Sequence, residues 1–252
     1  MHLISAVIIA YNEELNIGRC LDSLAGVADE IVVVDNHSSD RTAEICRAYG
    51  ARVHPHAFEG YVSQKNLAIS LATHDWVLSL DADEALDVPL KAAILAAKNR
   101  DDYDAWRINR LNHYCGRPIR TCGWYPDARI RLADRRKAAW TGYVLHEELT
   151  ATPDARIGHL PGDILHYSYP TVASHLQKAT RYAQLGAEDR YARGTKAPYW
   201  KLIVKPAAIF WRRYLLQGGW RDGYYGWIIC AISAWETFAK YALLREKYQQ
   251  HR

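Results

Sequence analysis

Residues 75–84 read DWVLSLDADE, an apolar run of strand length that ends in Asp81, Asp83 and Glu84. Trp76, Val77, Leu78 and Leu80 mark a buried strand, so three carboxylates stand at its carboxyl end. Clustered negative charge there is unfavourable unless something positive offsets it. Asp81 and Asp83 lie two residues apart, and a turn after the strand would let both point into one cleft. Oxygen-only ligands suit a hard cation, Mg2+ or Mn2+, which keeps positions open for phosphate oxygens. The expectation is that such an ion, arriving with a diphosphate, is the countercharge. Nucleotidyltransferases and phosphatases use similar acid pairs, so the pair alone does not choose a reaction.

Outward from this strand the first hundred residues alternate in a regular way. LISAVIIA (3–10) and EIVVVD (30–35) are continuous apolar runs rich in β-branched residues, and RVHPH (52–56) is a weaker third strand. Between them Ile17, Cys20, Leu21 and Leu24 follow a helical spacing. Ser39 or Asp40 can cap the next helix and Gly50 can end it. SQKNLAISLA and VPLKAAILAAK (88–98) give two more helices. Strand and helix in alternation indicate an α/β chain with a mainly parallel sheet covered on both faces. Ligands of such sheets bind beyond the carboxyl ends of the strands. The polar tips YNEE, DNHSSD and DADE all fall at those ends.

From about 101 to 168 the pattern is irregular, with strand-like pieces YDAWRINR, ARIRLAD and DILHYSY; from 171 onward it is helical. Three regions follow: 1–100, 101–170 and 171–252. Composition is ordinary for a globular chain of 252 residues, at 49% hydrophobic and 24% charged. The aromatics depart from the ordinary: nine Trp and 17 Tyr against three Phe favour rings with a polar tip, suited to interfaces and sugars. Five cysteines without metal-type spacing read as small buried hydrophobes of a reducing cytosol. The apolar run near Met1 has no basic region before it and meets acids at once, unlike a signal peptide.

The order AYNEE, IVVVDNHSSDRT, SQKNLAI, LSLDADE resembles the nucleotide-sugar-binding half of the family two inverting glycosyltransferases, over about residues 3–90. That resemblance implies a GT-A (Rossmann-like) fold: a mixed, mainly parallel sheet with flanking helices, here followed by a C-terminal helical extension. It implies that region 1–100 binds the donor and 101–170 the acceptor. Tyr11, Asn12 and Glu13 would line the base pocket, with Asp35 on the uracil ring or ribose. Lys65 and Asn66 would lie near the donor, Asp81 would meet the ribose or the metal, and Asp83 would bind the metal. The residues agree in kind, since Asp35 can accept from a base N–H and a Tyr ring can stack on its face. Lys65 also reads as a solvated helix residue, and 36–39 as plain turn residues.

WTGYVLHEELT (140–150) supplies carboxylates for a second task. An inverting transfer needs one base to take the acceptor hydroxyl proton. The phrase looks like the acceptor-side motif of lipopolysaccharide-core glucosyltransferases acting on heptose, in which Glu147, directly after the histidine, is the base and Glu148 the runner-up. His166, in ILHYSYP, could serve as an extra metal ligand, as a late histidine does in several GT-A enzymes, or as a structural residue. Arg129 and Arg131, two apart on an extended run, face one side and could grip anionic groups or simply meet solvent.

From Tyr199 to Arg252 nine Lys and Arg stand against three acids, although the whole chain is only +4. Basic residues beside Trp, Tyr and Leu match helices that lie among lipid headgroups, more than a nucleic-acid surface. The longest uncharged stretch, Gly223 to Trp235, is 13 residues, short of the ~20 that span a bilayer. Together the readings point to an inverting hexosyltransferase, UDP-glucose to a lipopolysaccharide inner-core heptose. Such an enzyme would be peripheral on the cytoplasmic face of the inner membrane. Two alternatives stay open: transfer to a polyprenyl phosphate, and an inactive nucleotide-sugar binder.

Overall fold

The computed structural model describes residues 1–142 and 147–250. In chain order the first elements are β1 (Ile4–Ala10), α1 (Ile17–Leu24), β2 (Glu30–Asp35), α2 (Thr42–Ala48), β3 (Arg52–Pro55), α3 (Tyr61–Leu71) and β4 (Trp76–Asp81). Then follow β5 (Glu84–Leu86), α4 (Val88–Ala97), β6 (Ala105–Tyr114), β7 (Arg117–Pro118), β8 (Ala128–Asp134), β9 (Ala138–Thr141), β10 (Glu148–Ala151) and β11 (Ile157–Tyr169). The chain closes with the helices α5 (Val172–Ala192), α6 (Tyr199–Trp211) and α7 (Gly223–Gln250). Between α6 and α7 lie a π-helical turn (Arg212–Leu216) and a 3-10 turn (Gly219–Asp222).

The main sheet runs β3-β2-β1-β4-β8-β6-β11-β5. β3, β2, β1 and β4 are parallel, and β8 pairs antiparallel to β4 and to β6. β5 pairs antiparallel to β11, which sets Glu84 opposite His166. The sheet is therefore mixed, with its parallel half at the N-terminal end as the alternation required. β9 and β10 form a separate antiparallel ribbon.

Two apolar layers cover the sheet because its residues alternate sides. Ile4, Ala6 and Ile8 of β1 join Ile17, Leu21 and Leu24 of α1 and Leu90 and Ile94 of α4 on one face. Val7 joins Val32, Val34 and Val77 with Ala68 and Ile69 of α3 on the other, where Trp140 and Leu149 of the ribbon add cover. Each fully buried Leu or Ile contributes ~1.5–3 kcal/mol over exposure. Gly162 marks a close approach: its φ is +96°, and a Cβ there would meet the Leu90 backbone nitrogen at 2.4 Å.

Helix ends follow local chemistry. α2 begins at Thr42 with Arg41 at its N-cap, one residue past Asp40, and Asp40 Oδ1 accepts from the Thr42 backbone nitrogen at 3.0 Å. Gly50, with φ +76°, follows its last turn. α5 starts with a full capping box, Thr171 and Ser174 bonding each other's backbone.

The chain forms two compact units. The first comprises Met1–Leu111 and Pro126–Tyr167, and the second Asn112–Tyr125 and Ser168–Arg252. The core of the second unit gathers Tyr114, Ile119, Cys122, Ile229 and Cys230, and His175 lies buried against the Tyr114 ring. The cysteines are free thiols, four of them buried. α7, 28 residues long, differs from the expectation drawn from its uncharged stretch. Together with the turn before it, it is long and apolar enough by length and composition to cross a membrane. The helix continues through Glu236, which had ended the stretch counted in sequence, and on through Lys240.

Candidate active site

The loops after β1 and β2 are stitched to each other. The Asn12 backbone nitrogen donates to Ser38 Oγ at 2.9 Å, and Ser38 donates through both its nitrogen and its hydroxyl to the buried Asp35 carboxylate. Asn12 Oδ1 accepts from the Ser39 nitrogen at 2.8 Å, and the Glu13 nitrogen donates to Thr42 Oγ1 at 2.8 Å. Asn12 and His37 hold positive φ, 53° and 52°, a conformation uncommon outside glycine. These turn residues thus build the loop floor, and Tyr11 stands above it, 58% exposed. An open ring over a fixed floor is what stacking on a flat ligand requires. The Glu13 side chain faces α1, accepting from Asn16 Nδ2 at 2.8 Å.

Asp81 ends β4. Lys65, from α3, reaches its Oδ1 at 3.0 Å, and Arg131, from β8, lies 3.6 Å from its Oδ2. Both cations are buried, with side chains 5% exposed. Burial alone would raise the Asp81 pKa, but the charges of Lys65 and Arg131 outweigh it and hold the carboxyl well below the usual range. Glu84 is fully buried beneath, taking Arg131 at 3.0 Å with Arg110 at 3.9 Å. Its Oε2 also accepts from the Asp81 nitrogen at 3.0 Å. The metal ion expected to offset Asp81 and Asp83 is therefore not the sole countercharge at this strand end. For Asp81 and Glu84 the countercharges are Lys65, Arg131 and Arg110, because removing carboxylates from water requires permanent partners at contact distance.

Asp83 differs from Asp81 although only Ala82 separates them. Its Oδ2 lies 3.4 Å from His166 Nε2, and its carbonyl accepts from the Tyr167 nitrogen at 2.9 Å. The β5–β11 register sets this pairing. One carboxylate oxygen and one imidazole nitrogen this close are within reach of a single divalent cation: the carboxylate suits Mg2+ or Mn2+, and the imidazole suits a transition ion, Mn2+ of the two. The residues fit the group. Among the described residues no three His, Cys, Asp or Glu side chains gather into a cage, so water or a ligand's oxygens would complete the shell.

Glu147 precedes β10 and lies 3.8 Å from Lys65 through Oε1. Glu148, the next residue, turns instead to Arg129, which also holds Asp127. Residues 143–146 of the WTGYVLHEELT motif, its histidine included, lie outside the described residues. Lys65 itself rests on the Trp140 ring, 4.1 Å from its centroid, a cation–π contact that fixes its reach. Asn66 spends its amide on Trp140: Nδ2 donates to the Trp140 carbonyl and Oδ1 accepts from its nitrogen, both at 2.9 Å. Asn66 is thus a positioning residue for the ring that carries Lys65.

Asp81, Lys65 and Glu147 therefore form one contiguous cluster, with Asp83 and His166 beside β4, while Tyr11, Asn12 and Asp35 occupy the neighbouring loop pair. Sequence reading did not foresee Arg131 and Arg110 as buried anchors, nor Trp140 as a platform. The i, i+2 pair of Arg129 and Arg131 was a signal of shared side; nothing in YDAWRINR marked Arg110.

The family model for glycosyl transferase family 2 matches residues 5–137. The chain is 32% identical to an uncharacterised glycosyltransferase of Rickettsia typhi, over 98% of this chain and 88% of that one. It is 31% identical to the lipopolysaccharide core biosynthesis glycosyltransferase LpsC of Rhizobium meliloti, over 98% and 93%. A solved mannosyltransferase of Pyrobaculum calidifontis, in complex with GDP-Man and Mn2+, superposes with a TM-score of 0.54 at 15% identity, covering 98% of this chain and 88% of that one. That likeness extends to the GT-A fold.

Proposed function

Because the chain belongs to glycosyltransferase family 2 and is a glycosyltransferase, we propose that it transfers a hexose, glucose from UDP-glucose, to a lipopolysaccharide inner-core heptose with inversion. The likeness to LpsC supports the acceptor class. The observation that carries the reading is the divergence of Glu147 and Glu148. Glu147 joins Lys65 and Asp81 at the carboxyl edge of the sheet, whereas Glu148 is taken by Arg129.

Glu147 accepts the acceptor hydroxyl proton as that oxygen attacks the anomeric carbon. The bond from that carbon to the diphosphate oxygen breaks, and the electron pair leaves with the nucleoside diphosphate. Lys65, seated on the Trp140 ring, holds Glu147 and Asp81 in mutual register. Tyr11 stacks on the base, and the Asp35 loop orients the nucleoside. Asp83 and His166 would hold Mg2+ or Mn2+, whose charge when bound neutralises the leaving diphosphate. The acceptor is a glycolipid, so the site of action in this reading is the cytoplasmic face of the inner membrane.

Glu147→Gln tests the assignment, with UDP- and GDP-sugars offered to truncated core glycolipid with and without EDTA. Transfer is expected to fall ~10²–10⁴-fold, the usual contribution of a general base, while calorimetry shows unchanged donor binding. Full transfer by the variant overturns the role of Glu147. A wild type that binds donor but never transfers would be the inactive binder.

A further inference from the structure

α6 carries its apolar stripe on the outside. Tyr199, Trp200, Ile203, Val204 and Trp211 are all exposed, at spacings that place them on one helical face. Leu215 and Leu216 in the π-helical turn continue that exposure, and Ile203 and Leu216 are 75% and 83% exposed. Leu202, Phe210 and Tyr214, on the flank of the stripe and in the turn after it, are half-buried and pack inward. A helix of a soluble domain normally shows the reverse. α5, in the same unit, does so, burying Ala179, Ala183 and Ala187.

Charge identifies what covers this face. From Arg190 to Arg221 the sequence has eight Lys and Arg and no acid. Lys205, Arg212 and Arg221 are exposed along the same segment as the stripe. A second copy of the chain would bring like charges together across a symmetric contact. An anionic lipid surface accepts both the rings and the cations, since Trp and Tyr favour the headgroup boundary and each nearby Lys or Arg adds attraction. A cleft of about 580 Å³ in the same unit is lined by Arg117, Arg221, Tyr224 and Tyr225, with Asp222 bonded to Thr121. Two guanidinium groups at its wall suit a phosphate.

We propose that α6 and the π-helical turn after it lie in the plane of an anionic bilayer, with Trp200, Ile203, Trp211 and Leu216 inserted and Lys205, Arg212 and Arg221 on the headgroups. This deepens the membrane partner of the preceding reading by naming its surface. It rests on that reading for the partner alone, because vesicle binding is scored without donor or acceptor and so fails or succeeds separately from transfer.

Flotation of the full chain with phosphatidylcholine vesicles, alone or with about a third phosphatidylglycerol, tests it at low and high salt, on the expected screening of surface charge. Binding is expected on the anionic vesicles, at least tenfold weaker on the neutral ones and weakened by salt. Ile203→Glu with Leu216→Glu should lower it at least tenfold, and Lys205→Glu with Arg212→Glu likewise, each variant keeping wild-type circular dichroism. Two independent pairs guard against one that misfolds. Absence of binding, or binding that neither pair alters, overturns the proposal. So does a dimer in sedimentation analysis that the Ile203→Glu, Leu216→Glu variant dissolves, which would assign the face to a second copy.

Discussion

The carboxyl edge of the sheet and the outer face of α6 handle unfavourable chemistry in opposite ways. At the sheet edge, two carboxylates are drawn out of bulk water and both are met by cations of the same unit: Lys65 and Arg131 on Asp81, Arg131 and Arg110 on Glu84. Along α6, apolar rings and chains are left in water beside cations with no acid in the segment. The first arrangement is complete within its unit. The second is complete only against a surface that supplies hydrocarbon and negative charge together. A closed network makes a rigid site, whereas an open one makes a docking face, and the two should respond differently to the same kind of substitution.

The largest contrast is expected from Arg131→Met. Removing one partner of a buried charge network strands the others, typically at ~3–5 kcal/mol, so chemical denaturation should show that loss, with transfer falling as well. A loss under 1 kcal/mol would mean that Glu84 and Asp81 are less dependent on Arg131 than their contacts indicate.

Acid should separate the two units. In the second unit, burial and the nearby charges of Arg213 and Lys178 push the His175 pKa down to about 4. Its unfolded value is about 6.5, so the unfolded chain binds the proton first. The stability of that unit is intact above about 6.5 and drains as pH falls toward about 4. In the first unit burial would raise the Glu30 pKa, but hydrogen bonds from Ser5, Thr73 and Arg52 bring it to about 2. Its contribution is present above about 4.5 and is lost only as pH falls toward about 2. Hydrogen exchange at stepped pH should therefore open α5 before β1 and β2. Glu30→Gln should cost ~1.5–3 kcal/mol at neutral pH, the scale of hydrogen bonds to charged groups, and flatten the lower window. Simultaneous opening of both units would remove the distinction.

The smallest effect belongs to α6. Ile203→Ser, on a side chain open to water, should change stability by less than ~0.5 kcal/mol without lipid. A larger change in a thermal melt would mean that the face is covered within the free protein.

The strands around LISAVIIA, EIVVVD and DWVLSLDADE were legible because burial on both faces leaves a continuous apolar run, and their tips because ligand edges collect polar residues. The base candidate was legible as a pair, Glu147 or Glu148, but consecutive residues on extended backbone point opposite ways, and only the fold shows which one meets Lys65. The same holds for Asn66, adjacent in sequence to Lys65 yet committed to the Trp140 backbone.

By itself the sequence determined the alternation of the parallel half, the family-like order of its polar tips and the basic, aromatic character of the C-terminal helices. These depend on local periodicity and composition, which a linear string records. Only the tertiary structure decided that Lys65 and Arg131, from a helix and a distant strand, neutralise Asp81, that His166 comes to Asp83 through strand pairing, and that α6 turns its apolar stripe outward. Those outcomes depend on which segments approach within a few ångströms, a distance that sequence separation does not measure.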